Sequence, residues 1–286
     1  MNILVNTHRH YVFMDASLIQ GLKNLGHKVC AIEEAGNNYV EYLANTSDSW
    51  DLFIQFVKDS HINIPSIKSI MVWGYDGHNG LKNEFLNGYD VIFVRDHLDN
   101  NPGIPINFAI EDRYYCQTDN GYKPLKDRTV DICFLGGDHC GRKEYKERLI
   151  EDFKHLKLEI GRQKYVAPDD YWSRWTSTYY NHDPHYYEVL ADSKICLSFR
   201  GGGPDCGRHW EIMASGAVCM IESMKTMEPR PSVYWFDNYE ELKKRIEGVL
   251  FDIEDFQEEV NNDWKWNREH HSTKARAQYL LDKCGF

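Results

Sequence analysis

Short apolar runs alternate with amphipathic stretches along the whole chain. NILV at Asn2–Val5 opens the series, followed by Val29–Ile32, Leu52–Val57, Ser69–Trp73 and Val91–Val94. Each run is apolar on both faces, which predicts strands of a parallel sheet covered by helices rather than half-solvated antiparallel strands. Between the first two runs lies a polar loop, NTHRHYVFM. Asp15 is then expected to cap a helix through Leu18, Ile19, Leu22 and Leu25, with Gly26 as its stop. The second half repeats the theme. Strands are predicted at Asp131–Leu135, Leu158–Ile160, Ile195–Phe199 and Ala217–Ile221. Helices are predicted over KEYKERLIEDFKHL, His185–Ala191, Arg208–Ala214 and Tyr239–Leu250.

This alternation reads as α/β, with two Rossmann-like, doubly wound domains facing a central cleft. Asp119–Arg128 (DNGYKPLKDR) is polar and carries Gly and Pro, so the join is expected near Lys123–Asp127. The expected divisions are 1–125, 126–270 and a C-terminal helix over 271–286 that packs back on the first domain. That helix is read from WKWNREHHSTKARAQYLLDKC.

Composition narrows the class. The chain has 286 residues, 42% hydrophobic and 27% charged, enough apolar material for packed cores. Its net charge of −11 argues against broad phosphate-backbone binding. No apolar run approaches the roughly 18 residues of a membrane span, and the N-terminus shows no signal-peptide pattern, so a cytoplasmic location is expected. The 8 cysteines form no C-x-x-C. Cys133, Cys196 and Cys219 sit in apolar runs as small hydrophobes, and sets such as Cys133, His139 and Cys140, or His182 and His185, have poor zinc spacing. No metal site and no cofactor are expected.

The chemistry concentrates in FRGGGPDCGRHWEIMASGAVCM, Phe199–Met220. A buried strand runs through a glycine loop into a helix. Gly202 and Gly207 let the backbone approach a ligand. The helix start offers N–H groups and positive dipole, and Arg200 and Arg208 add charge suited to phosphate. Glu211, one turn in, is placed to accept hydrogen bonds from vicinal sugar hydroxyls. A solvated Arg–Glu pair at i, i+3 is the plainer alternative.

SKICLSFRGGGPDCGRHWEIMASGAVCMIE resembles the donor segment of GT-B glycosyltransferases, with exostosin-type and spore-maturation-type enzymes the nearest in pattern. There S-K-x-x-L leads through a glycine loop to R-x-x-E-x-x-x-x-G, matched here by Arg208, Glu211 and Gly216. The resemblance implies that Glu211 holds the nucleotide ribose and Arg208 the diphosphate. Gly203 and Pro204 stand where many of those enzymes carry an earlier acidic residue. Ile104–Tyr115 (IPINFAIEDRYY) is similar to the family's I-P-N-G-V-D segment, through Pro105, Asn107 and Asp112.

Further motifs extend the pattern. In FLGGDHCGRKEYKERL, Gly136 and Gly137 end a strand, and Arg142 and Lys143 open a helix where the family grips donor phosphates. Basic residues at a helix start are unfavourable without an anion nearby. In MVWGYDGHNG, Asp76 and His78 follow a strand and suit proton transfer, the alternative being a structural turn. His8, also taken as a substrate-binding residue, forms a rival catalytic set with His10 and Asp15. The aromatic group Tyr171–Trp175 with Tyr179 and Tyr180 suits either sugar stacking or core packing.

The resemblance implies a metal-independent hexosyl- or pentosyltransferase, since no D-x-D triplet occurs. The donor is expected to be a nucleotide-diphosphate sugar, such as a UDP-sugar, and the acceptor a saccharide or other glycoconjugate. Two alternatives stay open. One is a glycosyltransferase acting on modified DNA bases; the other is a non-catalytic nucleotide- or sugar-binding module.

Overall fold

The computed structural model describes residues 1–7, 12–33, 49–56, 67–73, 87–95, 103–111, 114, 123–138, 141–162, 184–201, 203, 205–223 and 233–286. These fall into two compact units, Met1–Ala109 with Thr273–Phe286, and Ile110–Ser272.

The first unit holds β1 (Asn2–Thr7), α1 (Val12–Asn24), β2 (Lys28–Glu33), β3 (Leu52–Phe56), β4 (Lys68–Trp73), β5 (Val91–Val94) and β6 (Ile104–Pro105). The six strands pair in parallel in the order β2-β1-β3-β4-β5-β6. β3 is buried at every position, Gln55 included, as its largely apolar run predicts. β6 was not anticipated; two residues ending in proline give no strand periodicity.

Helix α1 begins at Val12, so Asp15 lies in its first turn instead of capping it. Gly26 does stop the helix. Its φ of 85° is left-handed, and the Gly26 and His27 N–H groups bond the Lys23 and Leu22 carbonyls.

The second unit holds β7 (Val130–Leu135), α2 (Arg142–Asp152), β8 (Leu158–Gly161), α3 (Pro184–Ala191), β9 (Ser193–Ser198), α4 (Gly207–Ser215), β10 (Val218–Glu222), β11 (Val233–Phe236), α5 (Tyr239–Phe251) and α6 (Gln257–His271). Its parallel strands run β11-β10-β9-β7-β8. In chain order that is 2-1-3-4-5, which reverses between β7 and β9. Open sheets of this kind bind ligands beyond the strand ends at that reversal.

Beneath those ends lies an aromatic floor. Phe134 and Phe199 meet edge to face at 4.6 Å between centroids, and Phe199 meets Phe236 at 5.4 Å. Ile132, Ile195, Leu197 and Met220 continue the core downward. At the opposite end, buried Arg128 donates to the carbonyls of Lys123, Ser193 and Ser215 and ties the starts of the strands to the end of α4.

Lys146 of α2 braces the end of β7. Its ammonium reaches the Gly136 carbonyl at 2.5 Å, the Gly161 carbonyl at 2.8 Å and Asp138 Oδ1 at 2.8 Å. Arg162 adds a second hydrogen-bonded cation to Asp138 at 2.7 Å. These bonds hold the Asp138 carboxyl down, from 3.8 to about 2.

The C-terminal stretch expected as one helix is two. Ser272, extended at φ −60° and ψ 162°, separates α6 from α7 (Thr273–Lys283). No glycine or proline marks the break. α7 belongs to the first unit and lies along α1. Their approach is close enough that a Cβ on Gly21 would run into the Thr273 carbonyl.

Two outcomes follow from this packing. Gly21→Ala should destabilise the first unit by about 1–3 kcal/mol, the usual cost of overpacking; an unchanged urea midpoint would show that the helices part without cost. Asp138→Asn should behave according to charge linkage. A depressed carboxyl stabilises above its unfolded value of 3.8, and that contribution fades as pH falls toward about 2. The stability gap between wild type and Asp138→Asn should therefore be full near neutral pH and close on acidification. A gap independent of pH would rule the carboxylate charge out as its source.

Candidate donor-binding site

The end of β9 passes into the glycine loop, and α4 begins at Gly207 with Cys206 as its N-cap. Cys206 makes no side-chain cap bond; its carbonyl accepts from the His209 N–H at 3.1 Å. Trp210, Ile212, Met213 and Ala214 of α4 are all buried, as are His209, Glu211 and Ser215.

Arg208 and Gly136 come together. A Cβ placed on Gly136 would stand 3.1 Å from Arg208 Nη1, and the guanidinium carbon lies 5.8 Å from the Phe134 ring centroid. A glycine at the end of β7 thus makes room for the arginine of α4. Burial works against that charge, yet Tyr186, Cys206 and Glu211 outweigh it and raise the Arg208 pKa. Arg208 stays fully cationic.

Glu211 is buried at 3% exposure. Its Oε2 accepts a 2.7 Å hydrogen bond from the Tyr186 hydroxyl of α3. Burial, then the Glu211 charge, push the Tyr186 phenol well above its ordinary value, so it remains a donor. Arg208, Glu211 and Tyr186 form one electrostatic group at the sheet reversal.

Arg142 is buried at the start of α2, and its Nη2 donates to the carbonyls of Phe199 at 3.2 Å and Arg200 at 2.5 Å. It lies near Gly201 as well, 3.9 Å from where a Cβ would stand. Arg142 therefore fastens the glycine loop to α2. Lys143 beside it is largely exposed and pairs with Glu147 at 3.7 Å. Arg200 is exposed too. Its Nε lies 3.3 Å from Glu222 Oε1, and its backbone N–H donates to Glu222 Oε2 at 3.1 Å. Gly137 follows Gly136 in the turn after β7, and Gly207 opens α4.

The loop has further internal ties. Buried Asp205 accepts from Trp210 Nε1 at 2.8 Å. His209 Nδ1 lies 2.7 Å from Ser198 Oγ, and Cys206 Sγ lies 3.6 Å from the same ring. Burial raises the Cys206 thiol, but His209 and Arg208 outweigh it and bring it to about 7.

Sequence reasoning singled out Arg208, Glu211, Gly136 and Arg142, which the fold gathers at β7 and β9. It missed Tyr186, Lys146 and Asp205. Lys146 is one helical turn beyond Arg142, a spacing that marks a shared face; nothing local distinguishes Tyr186 from its neighbour Tyr187. His8, His10, Asp76, His78 and Gly202 lie outside the described residues, as do Asp112, Pro204 and the aromatic group at 171–180. No helix among the described residues is long and apolar enough to cross a membrane.

No family model and no curated protein matches the chain. Solved structures do. An alpha-glucosyltransferase in complex with UDP and a 13-mer DNA containing an HMU base aligns with 99% of this chain and 98% of its own, at TM-score 0.64 and 14% identity. Sucrose-phosphate synthase from Thermosynechococcus elongatus aligns with 99% of this chain and 98% of its own, at TM-score 0.60 and 9% identity. Anabaena HepE in complex with UDP and glucose aligns with 100% of this chain and 99% of its own, at TM-score 0.59 and 8% identity. With two parallel α/β sheets and end-to-end alignment to these enzymes, the chain has the GT-B fold.

Proposed function

We propose that the protein is a glycosyltransferase that takes a sugar from a nucleotide-diphosphate donor, with the donor held by the second unit. One observation carries the reading: Arg208 of α4, with the Glu211 charge three residues on beside it, meets the glycine end of β7 where the sheet order reverses. In this reading Glu211 accepts hydrogen bonds from the ribose hydroxyls. Arg208 and the positive dipole end of α4 face the diphosphate, where they offset the charge that develops as it leaves. Two of the aligned structures hold UDP, which favours a uridine nucleotide.

Arg142 has a different part from the phosphate grip that its motif implies. Its guanidinium is spent on the Phe199 and Arg200 carbonyls, so in this reading it shapes the loop for the donor. Lys143 and Arg200, both exposed, are left as the remaining phosphate partners. Proton transfer from the acceptor is assigned to Asp76 or His78 on sequence grounds alone. The acceptor is a saccharide or another hydroxyl compound. The aligned glucosyltransferase bound to DNA supports a second reading, in which that hydroxyl belongs to a modified base. Transfer from a radiolabelled UDP-sugar to hydroxymethylated duplex, unmodified duplex and oligosaccharide in parallel separates the two.

Glu211→Ala should weaken UDP binding by about 1.5–3 kcal/mol, the worth of hydrogen bonds to a charged group. Calorimetry showing unchanged affinity would remove Glu211 from the site. Turnover should survive EDTA, since basic side chains and a helix dipole offset the leaving charge here. Loss on chelation, restored by Mn²⁺ or Mg²⁺, would refute that mechanism. Asp76→Asn should slow turnover by about 10²–10⁴-fold with donor affinity little changed, the usual worth of a general base. If His78→Ala gives that loss instead, the base is the histidine.

A further inference from the structure

We infer that Tyr186 is a positioning residue that sets the orientation of the Glu211 carboxylate for the sugar hydroxyls of the nucleotide. The inference rests on the donor-site reading above and adds to it a specificity device on a separate helix.

A carboxylate at the end of a glutamate side chain turns about its last bond within a broad, nearly two-fold well. Recognising a vicinal diol requires that this rotation be fixed beforehand, because ordering a group at the moment of binding costs affinity. Tyr186 supplies the constraint. Its hydroxyl meets Oε2 at 2.7 Å, which fixes the carboxylate plane and with it the direction of Oε1. An ionised carboxylate accepts at about four lone-pair sites, so one bond from tyrosine is compatible with others from ribose.

The tyrosine is itself held. It is buried at 3% exposure, and its ring meets Tyr187 edge to face at 5.2 Å. Tyr187 in turn stacks on Tyr114 at 5.7 Å, whose hydroxyl donates to Glu111 at 3.2 Å. A ring gripped in this way has little freedom to follow a wandering carboxylate; it imposes an orientation. The phenol's resistance to ionisation keeps it a donor throughout the pH range in which the carboxylate is charged.

A merely structural hydrogen bond would stabilise the fold without regard to which nucleotide is bound. A positioning bond acts only on ligands that use the diol. The test is calorimetry of UDP and 2′,3′-dideoxy-UDP with wild type, Tyr186→Phe, Glu211→Gln and the double variant. Tyr186→Phe should weaken UDP about tenfold more than dideoxy-UDP, as expected for one hydrogen bond to a charged group, any loss through the Tyr186–Arg208 contact being common to both nucleotides. In steady-state assays the donor KM should rise with kcat nearly unchanged, the signature of lost uniform binding.

In the Glu211→Gln background the same change leaves no buried charge unpaired, so the double variant keeps the test open even where the single one folds poorly. There, removing the hydroxyl should alter UDP affinity by less than about twofold, because the two residues act as one unit. Equal losses for both nucleotides, or a further tenfold loss in the double variant, would overturn the inference. If Glu211→Gln weakens UDP and Tyr186→Phe does not, the positioning role falls and the donor site stands. If Glu211→Gln leaves UDP affinity intact, both fall.

Discussion

A glutamate carboxylate buried beside the end of a parallel sheet is the constraint around which the second unit is arranged. A buried charge costs several kcal/mol unless it is paired and hydrogen-bonded. Glu211 meets that requirement with a phenol from α3 and a guanidinium from its own helix. The arginine then needs space, and Gly136 at the end of β7 leaves it. Gly136 is held by Lys146, whose ammonium also spans to β8. The glycine loop is fastened by Arg142 from the same helix as Lys146. Together these contacts fix the shape of one strand-end surface.

Topology explains why that surface lies where it does. Both sheets begin 2-1-3-4-5, so each has one place where neighbouring connections leave in opposite directions. In the second unit that place lies between β7 and β9, and both strands end in glycine-bearing turns. Phe134 and Phe199 close the floor below, leaving the ends of these strands as the polar layer above an apolar core. The α4 dipole and the Arg208 charge have the same sign at that layer, and the Glu211 carboxylate offsets both.

Much of this was legible in the sequence, for a physical reason. Strands of a covered parallel sheet must be largely apolar on both faces, so Leu52–Val57 and Ile195–Phe199 stand out as short apolar runs, and the observed strands are Leu52–Phe56 and Ser193–Ser198. β11 is an apolar run as well, VYWF, but only four residues long and directly after Pro229 and Pro231, which read as a loop. Arg208, Glu211 and Gly136 were legible because glycine between strand and helix is chemically unusual. Asp15 misled because an acidic residue favours the first turn as well as the cap. The break at Ser272 left no mark, since its stabilising contacts are tertiary. Tyr186 and Glu211 are 25 residues apart and joined only by folding. Lys146 shares a helix face with Arg142, but its oxygen partners Gly136, Asp138 and Gly161 are brought to it only by folding.

Hydrogen–deuterium exchange of the intact protein, with and without UDP, tests the central claim most directly. The account predicts that nucleotide slows exchange in the segment from Phe199 through the first turns of α4 and in the turn after β7, with little change at α5 or α1. Protection confined to other segments, with these two unaffected under saturating UDP, would contradict a donor site built on Arg208 and Glu211.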